Sequence, residues 1–304
     1  MHVSCKLAPN IMSITCLGSV YKATVISQFC SSIDSLLAGV SRPDEIVIVI
    51  DGPISSELDS VIQSYSKSGL VKTVRLPVNQ GLGIALAAGM SFCSSSIICR
   101  FDTDDISSSQ RIEYIRKAFE ADSALDIFGS TVIEFSVNSN GRVGTKLKQV
   151  PLNHSDIINM MSFINPVNHP SVAFRKSSIQ SVGGYRHMPF FEDYFLWLLA
   201  KRMGLRFRNV KVPLVFMRRD NLLSRRSGFK YALLEIRFYF SCLSEGLLNP
   251  LFAPFFALRC TSRLLPSFLQ SFQSRLPWRH GYSPKGCPEL FFWLSREKDD
   301  SIKH

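Results

Sequence analysis

Ser96-Ile97-Ile98-Cys99-Arg100-Phe101-Asp102-Thr103-Asp104-Asp105 (SIICRFDTDD) is a short apolar run that ends in three carboxylates. The run is too short for a helix and its apolar positions are nearly continuous, so it reads as a strand buried on both faces. Carboxylates this close repel one another. Set at a strand end, they make a site for a hard divalent cation, Mg²⁺ or Mn²⁺, which takes oxygen ligands and substrate phosphates. Asp102 and Asp104 share a face while the chain stays extended. Taken alone the cluster is as well explained as a helix cap, with Asp105 or Ser107 ahead of a helix that starts near Ser108.

The context outside this run settles the choice. Ile11–Val20 reads as a buried strand, Thr24–Val40 as a helix, and Glu45–Asp51 (EIVIVID) as a β-branched strand that again ends in an acid. Helical and extended segments continue to alternate at Ser55–Lys67, Leu70–Leu76, Leu82–Phe92, Ser96–Phe101, Ser108–Ala121 and Leu125–Phe135. This rhythm predicts an α/β fold: a Rossmann-like, mostly parallel sheet flanked by helices. Ligands in such sheets gather at the carboxyl ends of the strands. Asp51 and Asp102 both lie there, so two carboxylates share one edge.

Beyond residue 135 the pattern changes. Asn138–Gly141 is a turn, Ser155–Phe163 and Arg175–Val182 are short helices, Pro170–Phe174 is strand-like, and Phe191–Met203 is a helix with Glu192 and Asp193 in its first turn. Phe207–Val210 and Leu214–Met217 read as two closing strands. Phe229–Leu243 is an amphipathic helix. Leu247–Leu258 (LLNPLFAPFFAL) is very apolar but carries Pro250 and Pro254. It is shorter than the about 20 residues a spanning helix needs. The expected division is one α/β domain over 1–240, with a first half near 11–135 and a second half near 136–240. A basic, apolar helical tail follows over 241–304. Arg259, Arg263, Arg275 and Arg279 flank apolar residues in that tail, which fits an anionic membrane surface; the plainer reading is one more buried helical hairpin.

The chain has 304 residues, 46% hydrophobic and 19% charged, with a formal net charge of +11. That balance is globular and points to an anionic partner. Ten basic residues stand between Lys201 and Lys230 against one acid, Asp220. They are either a solvated face or a surface for phosphates. The eight cysteines include no C-x-x-C pair, which speaks for a reducing compartment and against structural zinc. MHVSCKLAPN lacks the apolar core of a signal peptide. No helix-turn-helix, zinc-finger or RNP signature accompanies the positive charge, so nucleic acid is not the expected partner. Asn79-Gln80-Gly81-Leu82-Gly83 opens a helix and lets backbone approach a ligand, but it is a weak dinucleotide fingerprint and no Walker lysine follows. Glu192 and Asp193 at a helix start are explained by the macrodipole alone, about 0.3–1 kcal/mol each; a general base for an acceptor hydroxyl is the functional alternative.

The order of motifs is more specific than any one of them. Ser19-Val20-Tyr21-Lys22 is followed by Pro43–Gly52, Asn79-x-Gly81 and Asp102-x-Asp104-Asp105. His169-Pro170-Ser171 with Phe174-Arg175, Gly183-Gly184-Tyr185 and Glu192-Asp193-Tyr194 complete the series. This succession, from Ile11 to Ile236, resembles the family 2 glycosyltransferases of GT-A fold, especially bacterial enzymes of surface-polysaccharide assembly. The resemblance implies that Asp51 contacts the nucleobase of a nucleotide-sugar donor and that Asp102 and Asp104 hold the metal and the donor diphosphate. It implies that Asp193 is the catalytic base and that Arg218 lies near the leaving diphosphate. It further implies inverting, non-processive transfer to a saccharide acceptor, plausible on a lipid diphosphate, by a cytoplasmic protein peripheral to the inner membrane. Two departures stand out. Ile50 replaces an acid that many relatives carry before Asp51, and the Q-x-x-R-W motif of processive synthases is absent. The rival readings are a nucleotidyltransferase, for which Gly18–Lys22 is a poor phosphate loop, and a non-catalytic basic surface binder.

Overall fold

The structure is a computed structural model that describes residues 12–220, 228–264, 279–283 and 286–301. Cys5, Arg225, Arg226 and Arg275, together with the first residues, lie outside these. Strands β1 (Ile14–Val20), β2 (Glu45–Asp51), β3 (Val71–Leu76) and β4 (Ile97–Arg100) lie parallel in the order β3-β2-β1-β4. Helices α1 (Ile26–Leu37), α2 (Ser56–Ser66) and α3 (Leu82–Phe92) make the crossovers. The two-residue period of β2 divides its side chains cleanly. Ile46, Ile48 and Ile50 pack with Phe29 and Ile33 of α1 and Leu58 and Ile62 of α2. Val47 and Val49 pack on the opposite face with Ala85, Leu86 and Met90 of α3. Each of these side chains, fully buried, is worth about 1.5–3 kcal/mol, and a slip of one residue would exchange the two sets.

The second half of the sheet is mixed. After α4 (Arg111–Ala121), β6 (Ile127–Val137) pairs with β7 (Val143–Lys148) as a hairpin. The short β8 (Ala173–Arg175) enters antiparallel between β4 and β6. β9 (Phe207–Arg218) runs parallel to β6 and also receives the two-residue β5 (Ile106–Ser107), while β10 (Arg279–Gly281) extends the far edge against β7. The α/β class stands, but the parallel order belongs to the first half and to β6–β9. Strand direction here is set by long excursions that side-chain period does not encode. The two closing strands expected at 207–210 and 214–217 are one strand with a register shift opposite Ser130 and Thr131, where Pro213 lacks the N–H a regular ladder needs.

Three short helices, α5 (His154–Met160), α6 (Lys176–Ser181) and α7 (Glu192–Arg202), cover the Val47/Val49 face. The expected boundary at residue 240 falls inside α8 (Gly228–Ser244), which with α9 (Ala253–Ser262) forms a hairpin on α7. Phe238 stacks on Phe191 at 4.7 Å, and Tyr239 stacks on Phe256 at 4.1 Å. Glu235, fully buried, takes Arg259 at 2.7 Å and Arg263 at 2.9 Å. The inner side of the hairpin is therefore core, not a separate tail. The last helix, α10 (Pro288–Ser301), lies against α1 and seals Ile133, Phe135 and Phe216 with Leu290 and Trp293. Among the described residues no helix is long and apolar enough to cross a membrane.

Candidate active site

β4 ends at Arg100, and the chain then turns through Asp102–Asp105 before β5. One carboxylate oxygen from each of Asp102, Asp104 and Asp105 lies within 4.8 Å of the others. Their surroundings differ. Arg100 is almost fully buried and grips Asp102 with both terminal nitrogens. Burial works against the guanidinium charge, but Asp102 outweighs it and Arg100 stays a cation. Asp104 is exposed as a residue, but desolvation of its carboxyl, and then Asp102 beside it, pushes that carboxyl up to about 6. Asp105 is buried and raised well above the carboxylate range, by burial first and then by Asp104 and Asp102. Its Oδ1 accepts the backbone N–H of Arg218 at 2.7 Å, while Oδ2 is buried without a hydrogen-bond partner among the described residues. A buried carboxylate oxygen left unpaired beside two other acids is what a bound hard cation would satisfy, and the all-oxygen donor set fits Mg²⁺ or Mn²⁺.

Asp105 is not the helix cap the sequence suggested. α4 begins three residues beyond Ser108, with Gln110 at its N-cap and no side-chain cap bond. Asp105 instead ties the loop after β4 to the end of β9.

Asp51, at the end of β2, is also committed. Its two oxygens accept the backbone N–H of Gln80 at 2.7 Å and of Gly81 at 2.9 Å. Asn79 Nδ2 donates back to the Asp51 carbonyl at 3.1 Å. Asp51 is 4% exposed and fixes the loop that opens α3, with Gly81 at φ +88°. Gly83 follows as the point of closest approach: a Cβ there would lie 2.3 Å from the Arg186 carbonyl oxygen and 3.3 Å from Glu192 Cβ. The missing side chain lets the Asn79–Gly83 loop abut the loop that carries Glu192 and Asp193.

Asp193 sits in the first turn of α7, half-buried, with Oδ2 accepting Asn165 Nδ2 at 2.7 Å. Phe190 precedes this turn in a left-handed backbone conformation, φ +68°, the one non-glycine residue among those described with positive φ. Such strain gathers at functional loops. Tyr185 links the halves. Its buried hydroxyl meets His169 Nε2 at 2.9 Å. Burial first, then the charges of Asp193, Glu192 and Asp102, hold that hydroxyl protonated, against the pull of Arg100. Tyr185 thus lies within the electrostatic reach of both the triad and the α7 acids.

Arg218 is beside the triad but not free for a diphosphate. Its Nε donates to the Asp104 carbonyl at 3.1 Å, and its NH2 takes both oxygens of Glu297 on α10 at 2.6 and 2.8 Å. Its guanidinium also lies 4.7 Å over the Phe135 ring. Four other cations of the basic run are likewise held by the scaffold. Lys201 donates to the Ile158 carbonyl, Arg202 to the Glu245 carbonyl, Arg208 to the Ala118 carbonyl, and Arg219 pairs with Glu134. Arg100, Asn165 and Tyr185 carry structural weight at the site that the sequence did not assign. Gly-Gly-Tyr and the strand-ending arginine were visible, but only the folded chain shows what they touch.

The family model described as Glycosyl transferase family 2 matches residues 27–183. The chain is 38% identical over 238 residues to the Escherichia coli UDP-Gal:alpha-D-GlcNAc-diphosphoundecaprenol beta-1,3-galactosyltransferase, covering 78% of this chain and 79% of that one. It is 32% identical over 260 residues to the amylovoran biosynthesis glycosyltransferase AmsE of Erwinia amylovora, covering 84% and 96%. In fold it matches residues 1–349 of S. aureus TarS, solved with UDP-GlcNAc, at a TM-score of 0.55 and 14% identity, covering 74% of this chain and 64% of that one. The β4 acids, the Asn79–Gly83 loop and the α7 acids therefore stand on the fold that the motif order implied, and the chain belongs to the family 2 glycosyltransferases.

Proposed function

We propose that this chain transfers one hexose from a nucleoside-diphosphate sugar to a saccharide on a lipid diphosphate, with inversion at the anomeric carbon, in bacterial surface-polysaccharide assembly. The observation that carries it is the acidic triad at the end of β4, with Asp193 held by Asn165 in the first turn of α7. The acceptor class is supported by the E. coli relative, whose acceptor is a GlcNAc-diphosphoundecaprenol. The reading places the protein on the cytoplasmic side, peripheral to the membrane that holds such an acceptor.

The residues divide the work. Asp102, Asp104 and the open Oδ2 of Asp105 would hold Mg²⁺ or Mn²⁺, and that cation supplies Lewis-acid neutralisation of the leaving diphosphate. Arg100 holds Asp102 in place with both terminal nitrogens. Asp51 shapes the Asn79–Gly81 loop for the donor, so its part in nucleotide binding runs through that backbone. Asp193, fixed by Asn165, takes the proton from the acceptor hydroxyl as it attacks C1 opposite the diphosphate, a role worth about 10²–10⁴-fold. Arg218 steadies the triad through its backbone N–H and through Glu297.

The test is nucleotide release from a panel of nucleotide-sugars, with Mn²⁺ or Mg²⁺ and a sugar-diphospho-lipid acceptor. Asp104→Ala and Asp193→Ala should each lower kcat by about 10²-fold or more. A wild type that turns over no donor, or variants that match it, would sink the mechanism.

A further inference from the structure

Among the described residues nothing covers the outer face of the α8–α9 hairpin. Phe229, Leu233, Ile236 and Phe240 follow one another at helical spacing along α8 and are 74%, 39%, 38% and 69% exposed. They form one stripe, because positions four, seven and eleven residues apart return to the same side of a helix. On the second arm of the hairpin Leu251 is 82% exposed and Leu258 71%. Phe229, Leu233 and Ile236 share a shallow apolar groove of about 100 Å³ with Leu264, so the arms meet at the surface. Scattered exposed apolar residues need no explanation, but a contiguous face of large ones marks a binding surface.

Charge selects the occupant. Lys230 and Arg237, seven residues apart, flank the stripe, are exposed, and have no ion-pair partner among the described residues. The two acids of the hairpin are withdrawn: Glu235 is fully buried between Arg259 and Arg263, and Glu245 is paired with Arg186 at 2.9 Å. Beyond Arg259 and Arg263, which Glu235 takes, the sequence from Gly246 to Pro288 adds Arg275, Arg279 and Lys285 and no acid. An apolar stripe with a basic margin and no free acid matches an anionic bilayer surface, where the stripe enters the acyl boundary and the cations meet phosphates. A second copy of this face would bring Lys230 and Arg237 against each other with nothing to neutralise them.

The face is also joined to the catalytic loop. Phe190, three residues before Asp193, sets its ring edge-on to Tyr231 of α8 at 5.4 Å, and Arg186 at the other end of that loop holds Glu245. We propose that the Phe229–Leu233–Ile236–Phe240 face, with Lys230 and Arg237, seats this protein on an anionic membrane and so holds the Asp193 loop toward a lipid-diphosphate acceptor. Its purpose rests on the acceptor proposed above; the surface itself does not.

Flotation of the full chain with phosphatidylglycerol/phosphatidylcholine vesicles tests it without donor or acceptor. Wild type should float with the anionic vesicles and at least about tenfold less with phosphatidylcholine alone, in line with the weight of a few basic contacts. Phe240→Glu with Leu233→Glu should abolish flotation, and Lys230→Glu with Arg237→Glu should remove the anionic preference. Because these sites are exposed, melting temperature and nucleotide release in the absence of acceptor should stay at the wild-type level. A wild type that does not float, or a Phe240/Leu233 variant that floats like wild type, overturns the proposal. So does a concentration-dependent dimer that the same variant dissolves while flotation persists, since the face would then belong to a second copy. Vesicle binding with no donor turnover would leave this surface standing and sink only the proposed reaction.

Discussion

At the scale of single residues, the site depends on side chains that hold other side chains. Asn165 shows this best. Its amide donates to Asp193 Oδ2 at 2.7 Å, leaving Oδ1 on the Tyr194 N–H at 2.8 Å. Hydrogen bonds to a charged partner are worth about 1.5–3 kcal/mol. Asn165→Ala should lower kcat roughly tenfold with little change in donor KM, because the carboxylate loses its fixed direction and the donor half is untouched. Asn165→Asp places a second carboxylate against Asp193, so like charges raise the base's pKa and the acid limb of the kcat–pH profile should move upward. The measurement is kcat and KM across pH for both variants. An unchanged profile in Asn165→Asp would mean that Asp193 is not the titrating base.

At the scale of elements, the α8–α9 hairpin is held by one buried carboxylate between two arginines. Removing Glu235 leaves two partly buried guanidiniums without their carboxylate, and breaking a buried pair on one side costs up to about 3–5 kcal/mol. Glu235→Ala should lower the melting temperature by roughly 5–10 °C. Arg263→Met should cost much less, since Arg259 keeps its 2.7 Å bond to Glu235. Calorimetric melts decide the order, and equal losses would refute the account. This triad also marks where the sequence stops being legible. The first-half strands and helices could be placed within a few residues, because β2 and its neighbours are uniform apolar runs closed by turn residues and the helices between them have clear periods. The acids at the ends of β2 and β4 and in the first turn of α7 were visible for the same reason. Glu235 was not, because its partners lie 24 and 28 residues away across a Pro-interrupted turn. The pairing of Arg218 with Glu297 was hidden because a basic residue at a strand end looks the same in sequence whether it faces solvent or a carboxylate. The antiparallel β8 was hidden because three residues carry too little pattern to show direction.

Across the whole molecule, carboxylates are perturbed in opposite directions by place, and this gives the apoprotein a bell-shaped stability. Glu45 lies at the start of β2, the end of the sheet away from the triad, and accepts bonds from Lys72, Thr15 and Ser94. Burial alone would raise its pKa, but those donors prevail and hold it at about 2, against 4.5 unfolded. Its stabilising effect is complete above pH 4.5 and is lost as pH falls toward 2. It amounts to roughly 2 kcal/mol, because Lys72 is open to solvent. The triad acts the other way. Asp104 is raised from 3.8 to about 6, so the folded state is favoured while it is protonated and that advantage is lost as pH rises from 3.8 through 6. Asp105 is raised in the same direction and adds to the same limb. Without metal, melting temperature should therefore peak near pH 4–5 and decline toward neutrality, as the ionised triad repels itself. Glu45→Gln should flatten the acid limb by about 4 °C. Asp104→Asn should flatten the neutral limb, leaving a variant that is more stable than wild type at pH 7.5 and inactive. Millimolar Mn²⁺ should lift wild type at pH 7.5 and leave Asp104→Asn unmoved, because a cation that needs the carboxylates stabilises only a protein that has them. An Asp104→Asn that melts below wild type without metal would show that the triad is scaffold and not a strained cation site.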